Sequence, residues 1–189
     1  MLKYVTCFLL ITVLPLSGYS QTPKFAVVDM EKLFKNYYKT KVASAKLKKQ
    51  AETFKDYADR LAQAQLKLKE EFNALRDASQ NIAYSETQRE SKRLAARDKY
   101  RQLKSKELEL EQYSRDKRIQ LRDKEAAMRK DILTEIRKAI AKYAKNKKFT
   151  LVLDSSGRTM NNISSIIYFR TELDITEIIL DIINKGAKK

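Results

Sequence analysis

The chain has 189 residues and carries 40 Lys plus Arg against 24 Asp plus Glu, a formal charge of +16 that suits one soluble domain meeting something anionic. It contains no His and its one Cys is Cys7, which excludes a Ser-His-Asp triad, a Cys-His nucleophile and ordinary His/Cys zinc sites. Gly18, Gly157 and Gly186 lie too far apart to form a glycine-rich phosphate loop, so an enzyme would have only carboxylates or lysines to work with.

The N-terminus has the pattern of an export signal over residues 1–20. Lys3 supplies the positive start, "YVTCFLLITVLPL" the apolar core, and "SGYSQ" a small-residue end suited to cleavage near Ser20. The apolar run is about 13 residues, shorter than the ~20 that span a bilayer. Cys7 precedes most of that run, which argues against a lipoprotein anchor. Removing the signal leaves a chain without cysteine, compatible with an oxidising compartment.

"FAVV", Phe25 to Val28, is a β-branched run that predicts a strand, and Asp29 is placed to cap a helix starting at Met30. Pro15 and Pro23 are the only prolines, so nothing after Lys24 is forced to break a helix by proline. The composition from there to about Lys148 is Ala, Leu, Lys, Glu, Gln and Arg, the strong helix formers. One interruption appears at "RDASQNIAYSETQRE", where Ser85 and Gln88 make an S-x-x-Q capping box. The spacing predicts one helix from about Met30 to Ser79 and a second from about Glu86 to Lys145, arms of about 70 to 90 Å at ~1.5 Å per residue. A single continuous helix is the alternative.

The first arm has a heptad seam, with Leu47, Phe54, Leu61, Leu68 and Leu75 at one position and Ala51, Ala58, Gln65 and Phe72 at the other. The second arm answers less cleanly. Tyr100, Leu103, Leu110, Leu121 and Met128 share a stripe only if Glu107, Ser114, Lys117 and Lys124 lie along it too. Further on, Ile132, Leu133, Ile136, Ala139, Ile140 and Tyr143 form a wide apolar face of the kind that packs on a sheet.

Phe149 to Leu153 is predicted as a strand of buried type followed by a "DSSG" turn. "NNISSIIYFR" predicts a third strand around Ser164 to Phe169. "LDITEIILDIINKG" predicts a closing helix with Asp174 as N-cap, Gly186 as its end, and Ile175, Ile178, Ile179, Ile182 and Ile183 facing inward. The fold class is therefore α+β. Residues 21–41 and 130–189 form a small β-sheet body, and residues 42–129 form a long antiparallel helical hairpin, a coiled-coil-like arm, turning near 77–85.

Charge is concentrated in the middle: residues 42–148 hold 29 Lys plus Arg and 17 Asp plus Glu, while residues 149–189 hold five of each. A charge run is usually a solvated face, but so large an imbalance over one segment points to binding. Asp29, Asp154 and Asp174 sit at element boundaries, where capping and turn roles account for them without catalysis. Tyr37, Tyr38, Tyr57, Tyr84, Tyr100 and Tyr113 are read as packing residues, with contact roles available at their polar tips. A basic helical chain could also follow phosphates, yet an export signal and the lack of a recognition module speak against nucleic acid.

Taken together, "FAVVDMEKLF" after a signal, the glycine-poor helical hairpin, "FTLVLDSSG" and "IIYFRTELDITEIIL" resemble the Skp or OmpH-like periplasmic chaperone family. The likeness covers essentially the whole mature chain, and its specificity lies in the order and spacing of the parts. The resemblance implies a jellyfish-like homotrimer whose sheet bodies join while helical arms enclose a cavity. It implies a periplasmic holdase, working without nucleotide, metal or other cofactor, that keeps unfolded outer-membrane proteins from aggregating. Lipopolysaccharide is a further ligand of the family, although no site for it matches here residue by residue; an anionic membrane surface is the related expectation.

On this reading Phe25, Val27, Val28, Leu151 and Leu153 belong to the body and its trimer interface. Lys67, Lys69, Lys92, Arg93, Arg97, Lys99, Arg101 and Lys104 supply diffuse attraction for clients. Two other readings use the same features: a structural coiled-coil spacer of the cell envelope and an exported polyanion-binding protein.

Overall fold

The computed structural model describes residues 22–187. The expected signal segment and its cleavage point near Ser20 lie outside the described residues. The chain is mostly helical with a small two-stranded sheet. In order it forms β1 (Phe25–Val28), α1 (Met30–Asn36), α2 (Tyr38–Gln80), α3 (Glu86–Asn146), β2 (Leu151–Asp154), a short 3-10 turn (Thr171–Leu173) and α4 (Thr176–Asn184).

Asp29 caps α1 as its position predicts, its carboxylate accepting the Lys32 backbone N–H at 2.7 Å. The expected single helix from Met30 to Ser79, however, breaks at Tyr37, whose ψ of 128° leaves the helical region. No glycine or proline causes this; the cause is tertiary. The Asn184 side chain accepts the Tyr38 N–H at 2.9 Å and donates to the Asn36 carbonyl at 3.2 Å, satisfying backbone groups on both sides of the break. Tyr37 itself is buried, with its hydroxyl donating to Glu135 at 2.7 Å.

Residues Asn81 to Ser85 join α2 to α3. The Asn81 side chain accepts the Ala83 N–H at 2.9 Å, and the capping box forms in full: Ser85 Oγ accepts from Gln88 N at 3.3 Å, and Gln88 Oε1 from Ser85 N at 3.0 Å. The two long helices, 43 and 61 residues, then run side by side for much of their length. Their cross-contacts pair Gln50 with Lys124, Phe54 with Tyr113 and Glu71 with Lys99, rising along one helix as they fall along the other.

Helix α3 ends where Lys148 takes a left-handed conformation, φ 56°, and the Phe149 N–H reaches back to the Ala144 carbonyl at 2.9 Å. This closure takes Phe149 for the helix end, so the strand predicted over Phe149–Leu153 begins at Leu151 instead. Strands β1 and β2 are parallel, in register from Phe25–Leu151 to Val28–Asp154. On the other side of β1, the Ile175 N–H donates to the Val27 carbonyl at 2.9 Å.

The core gathers Ala26 and Val28 from β1, Leu33 and Tyr37, the Ile132, Ile136 and Ile140 stripe of α3, and Ile175 and Ile179. Leu33, Ile136 and Ile179 are fully enclosed, each contributing roughly 1.5–3 kcal/mol by burial. Two expectations fail here. Ile178 and Ile182 are exposed at 45% and 36%, because a turn of 3.6 residues places 175, 179 and 183 inward and leaves these two on a flank. The third strand around Ser164 to Phe169 does not form. The Ser165 N–H bonds back to the Gly157 carbonyl and Thr159 to Ile163, closing a local loop that leaves Ile167 and Tyr168 exposed without a ladder partner.

Candidate functional site

All nine residues of the α2 seam turn toward α3 as buried or half-buried side chains, with Leu61 the most enclosed. The facing stripe of α3 is narrower. Leu103 is buried and Leu110, Ser114, Lys117, Leu121 and Met128 are half-buried, whereas Tyr100 and Lys124, assigned to the same stripe, are exposed. Small Ala96 takes the buried place next to Tyr100, a position without enough hydrophobicity to be noticed in sequence.

Aromatic pairs span the two helices. Phe54 and Tyr57 meet Tyr113 at ring distances of 6.4 and 4.7 Å, and Phe72 meets Tyr100 at 5.4 Å. The Lys117 ammonium lies 4.9 Å from the Phe54 ring centre and 5.6 Å from that of Tyr113. A polar seam position is thus tolerated because its cation rests on aromatic faces.

The eight cations predicted for attraction of a partner fall into distinct settings. Lys67 and Lys69 are exposed on α2. Lys92 sits over the Tyr84 ring at 4.6 Å, bracing the helix connection. Lys99 bridges to Glu71 of α2 at 2.6 Å, and Lys104 bonds Glu107 at 2.7 Å. Arg93 pairs with Glu90 and Arg101 with Asp98 on their own helix. Arg93, Arg97 and Arg101 come together with Arg76 along a cleft of 980 Å³ near the α2–α3 connection, whose apolar side is formed by Phe72, Leu94 and Tyr100. The spacing of 93, 97 and 101, one helical turn each, is the sequence signal for this grouping.

These ion pairs show in the titration of their members. The Lys99 ammonium holds the Glu71 carboxyl below the usual glutamate range, and Lys104 does the same to Glu107. At the base of the helix pair, hydrogen bonds from Lys39 and then Tyr37 lower Glu135, while burial, followed by the Glu135 contact, pushes Tyr37 up.

The residues predicted for the sheet body divide by face. Val28 and Ala26 point into the chain's own core, and Val27 is covered beside the Asp174–Ile175 segment. Phe25, Leu151 and Leu153 are 44%, 46% and 41% exposed on the opposite face of the sheet. Val28 therefore serves internal packing, and the accessible apolar surface of the sheet comes from the other three.

Among the described residues, no group of three or more His, Cys, Asp or Glu is arranged to hold a metal ion, and no helix is long and apolar enough to cross a membrane. Asp154 and Asp174 have structural work. Asp154 accepts from Met30 N at 3.2 Å and Ser156 N at 2.9 Å, and Asp174 from Thr176 N at 2.8 Å.

No curated protein matches the chain in sequence. The family described as "Outer membrane protein (OmpH-like)" matches it over residues 24–183, from the strand that opens the core to the last turn of the helix that closes it. With that match spanning β1, both long helices, β2 and nearly all of α4, the chain belongs to the OmpH-like family.

Proposed function

We propose that the protein is a periplasmic holdase chaperone that binds unfolded outer-membrane proteins between helical arms without nucleotide. The observation that carries this reading is the long α2–α3 pair, thinly seamed, basic on its surface and joined at one end to a small core. A holdase must outcompete aggregation and still release its client. Many weak contacts spread along an extended arm suit that better than one deep pocket. Residues 21–41 and 130–189 act as the body and residues 42–129 as the antiparallel hairpin arm.

The body assembles as a homotrimer in this reading. Exposed Phe25, Leu151 and Leu153 lie beside a β2 edge that pairs only with β1 among the described residues, which supports association through the sheet. Arms from three copies then surround a client and keep its unpaired strands from those of another. Lys67, Lys69, Lys92, Arg93, Arg97, Lys99, Arg101 and Lys104 steer acidic segments toward the arms, an attraction that weakens as salt is raised. The arginine-lined distal cleft, with Phe72 and Tyr100, has the chemistry for phosphate-bearing lipopolysaccharide or an anionic membrane surface.

The test is dilution of a denatured outer-membrane β-barrel protein into buffer containing the purified mature chain, followed by light scattering. Scattering is expected to fall at about a threefold molar excess, roughly one trimer per client. Unchanged aggregation overturns the reading and leaves a structural spacer of the envelope as the better account. Sedimentation of the chain alone tests the trimer.

A further inference from the structure

A second cleft, of 850 Å³, lies where the long helices meet the core, between α1, the first turns of α2, the last third of α3 and the turn after β2. Its floor is apolar, made by Met30, Phe34 and Leu133, and four cations border it: Lys35, Lys41, Arg129 and Arg137. Most of the distal arginines have carboxylate partners, but among the described residues none of these four makes an ion pair. Arg129 is held over the Phe34 ring at 4.8 Å, which fixes a guanidinium against the floor. Thr40, also in the lining, is buried, and its hydroxyl has no hydrogen-bond partner.

We infer that this cleft binds a carboxylate attached to one apolar side chain, the chemistry presented by the last residue of a polypeptide. Two guanidinia and two ammonium groups supply charge-assisted donors for the carboxylate. Three apolar side chains make a floor for one aliphatic or aromatic group. The acidic side chains of Glu31 and Asp154 share the rim, so a singly charged head is tolerated better than a phosphate dianion. The inference deepens the proposed function by giving the client's chain end a site of its own, and it rests on that reading only for the identity of the natural ligand.

Titration of the full mature chain with N-acetyl-leucine and N-acetyl-phenylalanine, monitored by methyl NMR of Met30 and Leu133, tests it. The expected result is saturable shifts with both acids, binding at least about tenfold weaker for the corresponding amides, and inorganic phosphate weaker than the acids. Arg137→Gln and Lys41→Gln, each checked for folding by circular dichroism, are expected to weaken acid binding, and Arg115→Gln, far along α3, to leave it unchanged. Equal binding of acids and amides, tighter binding of phosphate, or no shift at millimolar acid overturns the site. These readouts need no chaperone activity, so failure here is separate from failure in the scattering assay.

Discussion

Asn184 joins three parts of the molecule that are remote in sequence. Its amide accepts from the first residue of α2 and donates to the last of α1, while α4, which carries it, is anchored in the core by Ile175 and Ile179. Replacing it by Ala leaves the Tyr38 N–H and the Asn36 carbonyl without these partners in a half-buried place, at a cost of about 1–2 kcal/mol. Amide exchange at Tyr38 is expected to quicken by roughly tenfold, with the middle of α2 unchanged. Asn184→Asp retains the acceptor and is expected to protect Tyr38 better than Ala does. Equal exchange in all three proteins would mean that the break persists through the Tyr37–Glu135 contact alone. "FKNYYKT" has only its two lysines among the strong helix formers, a local weakness with no glycine or proline to fix a break, and nothing in it names a partner almost 150 residues away.

At the scale of elements, the α2–α3 connection depends on the Ser85–Gln88 capping box, which was readable because capping is a local matter of residue type and spacing. Ser85→Ala removes one acceptor at the start of a 61-residue helix and is expected to cost about 1 kcal/mol. Local exchange at Gln88 should rise in this variant and the melting temperature should fall slightly. A larger loss would show that the cap also controls how the long helices associate. The seam on α2 was readable for the same reason, since a strict seven-residue repeat selects one face of a helix. Helix α3 has no equally strong repeat, and which of its residues face inward followed from the partner: Ala96 is buried while Tyr100, packed against the Phe72 ring, stays exposed.

For the whole molecule, the response to pH follows from two ion pairs that tie separate helices, Lys99–Glu71 and Lys39–Glu135, and one within α3, Lys104–Glu107. Glu71, Glu107 and Glu135 have folded-state pKa values lowered chiefly by hydrogen bonds from Lys99, Lys104 and Lys39, so their stabilisation is present above the unfolded glutamate pKa of about 4.3. It is lost as pH falls through the lower folded values. Lys39 and Lys104 are raised by hydrogen bonds to Glu135 and Glu107, and their contribution is complete below the unfolded lysine pKa and fades as pH rises through the folded ones. Thermal melts should therefore be level with respect to these groups near neutrality and drop below about pH 4. Glu135→Gln, which keeps an acceptor for Tyr37, is expected to reduce the acid-side slope; an unchanged slope would assign acid sensitivity to the other carboxylates.

By itself the sequence determined the long helices, the cap between them, the α2 seam, the β1 strand and the concentration of positive charge, all of which depend on neighbours a few residues apart. Tertiary structure decided the break at Tyr37, the start of β2 at Leu151 and the absence of a strand over Ser164–Phe169. It also decided which isoleucines of α4 are covered and which cations share a cleft. A strand exists only where a ladder partner meets it, and a helix stops wherever a distant side chain satisfies its freed backbone groups better than the next turn would. For this chain those partners lie across the core, and only folding brings them within hydrogen-bond distance.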